Sequence, residues 1–300
     1  MNMKVWFYLF WANVFWAGNF IFGTFVVPDI SPLWATFARW FFSLFLLLPI
    51  AYFTENPKWE MIKNEWISLF LMGFLGITGY NFLLLKSLEF TSATNAALVS
   101  SLQPGVIVLF SYIFLREKLS FIQVSGLIIS FLGVLIILTK GNLFELFLTR
   151  YNQGDLLMLV AVILWSFYSL ISKRLKTPPI TATAVSSFFS VLIMFPFTLF
   201  EGLEMTKIGS MAIIGIIYMA LFPCVSSYIL WNLSVRKIGL SKSGISLNLI
   251  PLMTALMAIT IGGKITSAQI YGGLFVLLGV YLTTGVHKGR FKLFNPKGQF

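Results

Sequence analysis

The most unusual chemical group in this sequence is the guanidinium of Arg39, the only charged side chain well inside a long apolar stretch. An arginine at the centre of a membrane costs roughly 2.5–3.5 kcal/mol on insertion scales, and such residues usually face a cavity or a partner. Thr36, Arg39 and Ser43 share one helical face because of their spacing. One interpretation is that Arg39 binds a carboxylate-bearing ligand. The other is structural, with the side chain snorkelling outward or capping carbonyls of a broken neighbouring helix.

A second group of candidates consists of amide and aromatic side chains within apolar stretches. An amide that faced lipid would leave its hydrogen bonds unmade, so these residues should face the protein interior. Aromatic rings beside amides could form the wall of a site for a small zwitterion or an aromatic ligand, although hydrogen bonding between helices would also account for the amides. The candidate substrate-binding residues are Asn13, Trp16, Asn19, Arg39, Asn81, Gln103, Trp165, Tyr168, Tyr228, Asn232 and Asn248.

Two prolines within apolar stretches, Pro104 and Pro251, are candidate gating kinks. A proline inside a helix frees a carbonyl one turn earlier, and polar side chains, water or a ligand can then satisfy it. A tolerated kink without any binding role is the plainer interpretation. The two prolines occupy equivalent points of the chain's two halves, which favours a pair of gating elements.

Several kinds of catalytic and cofactor site are missing from the sequence. No phosphate-binding loop of the Gly-x-x-x-x-Gly-Lys-Ser/Thr type is present. The only histidine, His287, lies in the tail, and the single cysteine, Cys224, is most simply a small buried residue. No Asp or Glu lies inside an apolar run, so a proton carrier is not evident. We therefore expect no catalytic residues, no metal and no cofactor, and hence no enzyme.

The elements that position these residues are long apolar segments. Hydrophobic residues make up 58% of the 300-residue chain and charged residues only 10%, with mean hydropathy +0.89, whereas a soluble domain carries about 25% charged residues. Because backbone groups in lipid must be satisfied within the segment, runs of this length predict helices. The sequence therefore predicts an all-α integral membrane protein of ten transmembrane helices, at 5–25, 33–53, 66–85, 93–115, 119–139, 156–172, 180–200, 208–235, 243–263 and 265–286.

The basic residues predict the orientation of these helices. The net charge is +11, but the Lys and Arg residues are scattered between apolar runs, which does not fit a nucleic-acid-binding face. With the N-terminus inside, fourteen of them fall in inner segments and five in outer ones. This bias predicts a multi-pass protein of the cell membrane with both termini cytoplasmic.

The two halves of the chain resemble each other. Each half holds five runs, and an odd number reverses orientation, so the halves are predicted to be inverted repeats with a binding site between them. The predicted divisions are 1–140, a connecting loop at 141–153, 154–287, and a basic tail at 288–300. A shift of 147 residues superimposes Pro32 on Pro179, Thr36 on Thr183, Ser43 on Ser190, Pro49 on Pro196, Ser87 on Ser234 and Pro104 on Pro251; a shift of 146 superimposes Lys118 on Lys264, Gln123 on Gln269, Gly126 on Gly272 and Gly133 on Gly279.

In these features the sequence resembles the ten-helix EamA-type members of the drug/metabolite transporter superfamily. The resemblance covers nearly the whole chain, but it departs at Gly263, which matches Glu117 of the first half where the family often has a second glutamate. The residues that carry the resemblance are Trp16-Ala17-Gly18-Asn19, Arg39, Thr91-Ser92-Ala93, Pro104, Arg116-Glu117-Lys118, Gly154-Asp155, Trp165-Ser166-Phe167-Tyr168 and Pro251.

The resemblance and the repeat together imply a secondary transporter. The expected function is export or facilitated passage of small metabolites such as amino acids by alternating access, with helices 1, 3, 4, 6, 8 and 9 around a central cavity. The alternatives are export of cationic drugs, which the lack of membrane carboxylates disfavours, and a membrane-embedded enzyme. The expected partners are a small-molecule substrate and membrane lipid, without nucleic acid. Proton coupling is left open, and a monomer is expected.

Overall fold

A computed structural model describes residues 3–91, 96, 99–148, 152–202, 208–260 and 266–284. These residues form helices and connecting turns, without a strand among them. Two of the helices, Trp59–Asn64 and Glu145–Leu148, are short and are not numbered. The long helices are α1 (Met3–Val26), α2 (Pro32–Glu55), α3 (Trp66–Ser87), α4 (Gln103–Leu115), α5 (Phe121–Leu138), α6 (Gln153–Arg174), α7 (Pro179–Glu201), α8 (Ser210–Ile238), α9 (240–260) and α10 (Ser267–Thr284).

Within the described ranges, seven helices are long and apolar enough to cross a membrane, namely α1, α2, α3, α5, α6, α7 and α8. The fold is therefore that of an all-helical, multi-pass membrane protein. The predicted runs 93–115, 243–263 and 265–286 correspond to α4, α9 and α10, and each of these runs lies partly outside the described residues. The count of ten spans stays a prediction.

Local sequence signals explain where several helices begin. Pro32 and Pro179 occupy the first turns of α2 and α7, where a missing backbone N–H leaves no helical bond unmade. Helix α6 begins with a capping box, in which Asn152 accepts the N–H of Asp155 and Asp155 accepts the N–H of Asn152.

Helices α3 and α8 each contain a widened π-helical segment, which the spacing of their residues did not indicate. The segments are Gly73–Gly79 and Ala220–Ser227. They begin 147 residues apart, which is the shift that superimposes the two halves. A Cβ atom at Gly76 would overlap the ring of Tyr168, so glycine at this position lets α6 pack directly against α3. Segments of this kind are frequent at functional sites.

The helical path is interrupted just before each of the two candidate gating prolines. Pro104 lies in the first turn of α4, after a turn at Ser101 and Leu102. Pro251 follows a 3₁₀ turn at Ser246–Asn248 within α9. The two interruptions are structurally alike and lie at equivalent points of the sequence. The gating role of the prolines stays a prediction.

The helices pack in pairs that draw on both halves of the chain. Helix α2 packs against α7 and α5 against α10, while α1 packs against α8 and α9 and α6 against α3 and α4. The α5–α10 contact depends on glycines that allow the two backbones to touch. A Cβ atom at Gly126 would lie 2.6 Å from the carbonyl oxygen of Gly279, and one at Gly272 would lie 2.6 Å from that of Gly133.

At one end of the bundle, carboxylates of the first half accept backbone N–H groups of the second half, at or just before the starts of helices. Glu55 accepts the N–H of Thr181 at 2.7 Å, at the start of α7, and Glu65 accepts the N–H of Thr177 at 2.7 Å. Glu117 accepts the N–H of Ser241 at 2.9 Å, at the start of α9. We call the end of the bundle that contains Glu55, Glu65 and Glu117 the capped end.

The pKa values of two of these carboxyl groups reflect their hydrogen bonds. Burial alone would raise the pKa of Glu117, but bonds from Ser241, Ser111 and Leu240 outweigh it and hold the pKa below its usual value. The pKa of Glu65 is likewise lowered, since bonds from Lys176 and Thr177 outweigh burial. Both groups are therefore ionised at neutral pH, and as anions they accept backbone N–H groups at the start of α9 and in the segment just before α7.

Candidate substrate-binding site

Arg39 lies in α2 with its side chain fully buried. Its Nη2 donates to Asn81 Oδ1 at 2.6 Å, its Nη1 donates to Asn19 Oδ1 at 3.4 Å, and Nη1 also lies 3.7 Å from Met219 Sδ. The burial excludes the snorkelling orientation in this conformation. The guanidinium bonds to amide oxygens and a thioether, and not to helix carbonyls.

Asn81 links Arg39 to Tyr228. Its Nδ2 donates to Tyr228 Oη at 2.9 Å and to the carbonyl oxygens of Gly76 and Ile77 at 3.1 and 2.8 Å. Tyr228 Oη donates in turn to the Gly76 carbonyl at 3.0 Å. These carbonyls belong to the widened segment of α3, so the irregular backbone there is satisfied by side chains of the candidate site.

Around Tyr228 lies a cluster of buried aromatic rings. The Trp165 ring lies 5.3 Å from the Tyr228 ring, 5.1 Å from that of Trp16 and 5.0 Å from that of Tyr168, measured between centroids. The structure adds Trp40, whose ring lies 4.7 Å from Tyr228. We call Trp16, Trp40, Trp165, Tyr168, Tyr228 and Trp231 the aromatic cluster. Its rings come from α1, α2, α6 and α8 and so from both halves of the chain.

Asn232 joins the aromatic cluster to polar residues of α6 and α7. Its Nδ2 donates to Tyr168 Oη at 2.6 Å and to Thr183 Oγ1 at 2.9 Å, while its Oδ1 accepts from Ser172 Oγ at 2.8 Å. Every hydrogen-bonding atom of this amide therefore has a partner. In this conformation Asn232 holds the cluster together.

Three other candidate residues lie outside the aromatic cluster. Asn13 bonds to the Leu9 carbonyl and to Ser246 Oγ at 3.2 Å, and Asn248 bonds to Ser130 Oγ at 2.5 Å, so both flank the interruption in α9. Gln103 is buried at the start of α4. The sequence indicated correctly that these amides are buried, but not which of them come together.

Two members of the cluster, Trp40 and Trp231, were not among the predicted site residues. Trp40 follows Thr36 by four residues, and Trp231 follows Tyr228 by three, so each shares a helical face with a polar residue. That spacing is the signal that could have found them. Both side chains are fully buried.

The candidate site is closed in this conformation. Tyr228 and Trp165 are each 2% exposed and Trp16 is 6% exposed. Pockets of about 640 and 690 Å³ lie elsewhere, the first beside Phe41 and Ile217 and the second beside Phe131 and Leu156, and no candidate residue lines either of them. Access to the cluster therefore requires helices to move apart.

The described part of the chain holds no group of three or more His, Cys, Asp or Glu side chains that could bind a metal ion. The polar groups of the site are amides, hydroxyls, indoles and one guanidinium. Such groups can bind and orient a small molecule, but they do not include a nucleophile paired with a base.

Comparisons with known proteins agree with this geometry. The model of the EamA-like transporter family matches residues 3–139 and again residues 152–285. The uncharacterized transporter YyaM of Bacillus subtilis (strain 168) is 29% identical over 270 residues, which cover 87% of each chain. An uncharacterized transporter of Archaeoglobus fulgidus is 26% identical over 263 residues, covering 85% of this chain and 89% of its own.

A solved structure shows the same fold. A protein crystal structure superimposes on this chain with a TM-score of 0.78 at 18% sequence identity. The superposition covers 95% of this chain and 98% of the other. The arrangement of helices is thus one that is known from experiment.

Proposed function

Since this chain belongs to the EamA-like transporter family, we propose that it carries small metabolites such as amino acids across the cell membrane by alternating access, as an exporter or facilitator. The observation that carries this proposal is the buried cluster around Arg39, Asn81 and Tyr228, to which both halves of the chain contribute. Transporters of two-half architecture bind substrate between their halves. The family and its transporter-named relatives point to a transporter rather than an enzyme.

We infer that the two halves are inverted repeats of five helices each, at 1–140 and 154–287. Three observations support this inference. The family model matches the chain twice, once in each half. The widened segments of α3 and α8 begin one repeat length apart. In the α5–α10 contact, Gly126 touches Gly279 and its repeat equivalent Gly272 touches Gly133, as a two-fold axis between the helices requires.

In the proposed transport cycle the two halves rock about the aromatic cluster. With both termini cytoplasmic, the capped end faces the cytoplasm and its carboxylates close that side. At the opposite end Thr91 donates to Asp155 at 2.7 Å and Asp29 accepts the N–H of Gly209 at 2.9 Å. Opening toward either side would break one set of contacts and keep the other, so the substrate reaches one side at a time.

The charge of the site favours a metabolite with a carboxylate over a cationic drug. Arg39 supplies a buried positive charge, and the described membrane-spanning helices place no carboxylate beside it. A hydrophobic cation would meet repulsion there, whereas a zwitterion could pair its carboxylate with Arg39 and its ammonium with the aromatic rings. We propose that the working unit is a monomer, because its two halves already enclose the site.

Uptake into proteoliposomes tests the proposal. Purified full-length protein would be reconstituted and offered a panel of labelled amino acids and amines, with and without a pH gradient. We expect saturable uptake of at least one amino acid, absent from protein-free vesicles. Uptake of none of them, with the protein shown to be inserted, would contradict the proposed function. A variant with Gly76→Leu, which would push α6 away from α3, is the matched negative control.

A further inference from the structure

The candidate site contains three N–H groups that have no hydrogen-bond partner within the protein. We propose that Arg39, Trp40 and Trp165 form a carboxylate-binding corner of this site, which receives the anionic group of the transported metabolite. This inference rests on the proposed function and specifies which part of the substrate binds where. Trp40 becomes a substrate-binding residue under this proposal.

The first support is the three unused N–H groups. Arg39 Nε, Trp40 Nε1 and Trp165 Nε1 are buried and have no hydrogen-bond partner. A buried polar group without a partner costs several kcal/mol inside a membrane, where bulk water cannot replace the missing bond. Other buried atoms of the described chain also lack a partner, but these three are all donors on neighbouring residues of the candidate site, which supports an acceptor there in part of the working cycle.

The second support is their common neighbourhood. The rings of Trp40 and Trp165 lie 4.7 and 5.3 Å from the ring of Tyr228, on either side of the boundary between the two halves. Asn81 bonds both to Arg39 and to the Tyr228 hydroxyl. Trp40 and Trp165 thus pack against Tyr228, and Arg39 is linked to Tyr228 through Asn81.

The third support is the missing counter-ion. Among the described residues an ion pair joins Lys86 to Glu89, and it does not involve Arg39. Arg39 meanwhile contacts the neutral side chains of Asn19, Asn81 and Met219. A buried guanidinium with neutral neighbours is electrostatically unsatisfied, and a bound anion would satisfy it through charge-assisted hydrogen bonds.

The donors also specify the chemistry of the ligand. A guanidinium and two indoles can only donate, so the group that they bind must accept. An ionised carboxylate has two oxygens and about four acceptor positions, enough for all three donors. An ammonium cannot accept any of these bonds, and a neutral amide keeps one acceptor oxygen but has no charge to pair with Arg39. The corner therefore selects acids over the corresponding amides and amines.

Ligand-induced stabilisation of the purified protein in lipid nanodiscs tests this inference. The probes are glycine, leucine, phenylalanine and glutamine, each compared with its own amide, which differs only at the carboxylate. The variants Trp40→Phe and Trp165→Phe keep an aromatic ring and remove one N–H each. Trp34→Phe is the matched control, because its Nε1 is likewise buried without a partner, while the residue lies outside the aromatic cluster and lines the pocket beside Phe41.

We expect at least one acid to raise the unfolding temperature of the wild type at concentrations where its amide does not. Loss of one bond to a charged group should weaken that acid's affinity roughly ten-fold or more in each corner variant. The affinity of Trp34→Phe should stay close to that of the wild type. Equal binding of acids and amides, or no binding of any acid, would contradict the proposed carboxylate-binding corner. If amides or amines were nevertheless transported, the proposed function would survive; if nothing were transported, it would fail as well.

Discussion

The carboxylate of Glu117 accepts the backbone N–H of Ser241 at 2.9 Å, across the boundary between the two halves. It also accepts from Leu240 at 3.1 Å and from the hydroxyl of Ser111 at 2.8 Å. The residue that matches Glu117 in the second half is Gly263. Glu117 thereby binds the start of α9 at the capped end, while Gly263 lies outside the described residues.

The first prediction concerns this fastening. Glu117→Gln removes the charge and one acceptor oxygen, so the capped end should open more readily. Loss of a helix cap predicts that the equilibrium constant for opening rises roughly two- to thirty-fold. The measurement is the labelling rate of Ser172→Cys by a membrane-impermeant thiol reagent, in a background where the chain's single cysteine, Cys224, is replaced. Ser172 is fully buried and bonded to Asn232 in the closed conformation.

Glu60→Gln is the control for this measurement, because Glu60 is exposed near the same end. Its labelling rate should equal that of the background protein. Equal rates in both variants would show that Glu117 does not hold the capped end closed.

The second prediction concerns pH. The pKa values of Glu65 and Glu117 are lowered in the folded protein from a usual value of 4.5. A group whose pKa falls on folding stabilises the fold above its unfolded pKa and loses that contribution as the pH falls through its folded pKa. The unfolding temperature should therefore be steady above pH 5 and fall below about pH 4.5. The double variant Glu65→Gln and Glu117→Gln should start lower and show a smaller fall; an unchanged fall would assign the pH dependence to other groups.

Much of the helical framework could be predicted from the sequence because it follows from apolar length and from a few local signals. The predicted runs 5–25, 33–53 and 180–200 lie inside α1, α2 and α7, and Pro32 and Pro179 mark two of the helix starts. Burial of the amides was also predictable, since lipid cannot satisfy them. Trp16, Trp165, Tyr168 and Tyr228 were predicted as one group of binding residues, and the structure brings them together.

The widened segments and the contact partners of each side chain could not be predicted in this way. A π-helical segment changes which backbone groups bond to each other, and this leaves no regular mark in the side-chain pattern. Helical spacing predicts the face on which a residue lies but not its partner. For that reason Asn13 and Asn248, although correctly predicted to be buried, lie beside the interruption in α9 and outside the aromatic cluster.

The third prediction concerns Arg39. Arg39→Ala should lower the unfolding temperature, because Asn19 and Asn81 would lose the donor to their buried oxygens, at about 1–3 kcal/mol for each. Arg39→Lys keeps the charge but has a single nitrogen, so it should recover part of the stability. Uptake of carboxylate-bearing substrates should be lost in Arg39→Ala even at a temperature where the protein stays folded.

Lys118→Ala, which removes an exposed charge at the capped end, is the control for Arg39. It should leave both the unfolding temperature and the uptake near wild-type values. If Arg39→Ala stayed folded and transported acids normally, the role of Arg39 would be structural alone.

The last prediction uses two glycines in different surroundings. A Cβ atom at Gly126 would lie 2.6 Å from the Gly279 carbonyl oxygen on α10, whereas one at Gly105 on α4 would meet nothing within 4 Å. Gly126→Ala should therefore force α5 and α10 apart and destabilise the protein by about 1–3 kcal/mol, the range for overpacking a tight contact. Gly105→Ala should instead be neutral or stabilise by up to about 1 kcal/mol, because alanine is the better helix former. Unfolding in detergent measures both. Equal effects would mean that the two helices do not approach as closely as their glycines allow, and the reciprocal contact that supports the inverted repeat would lose its physical basis.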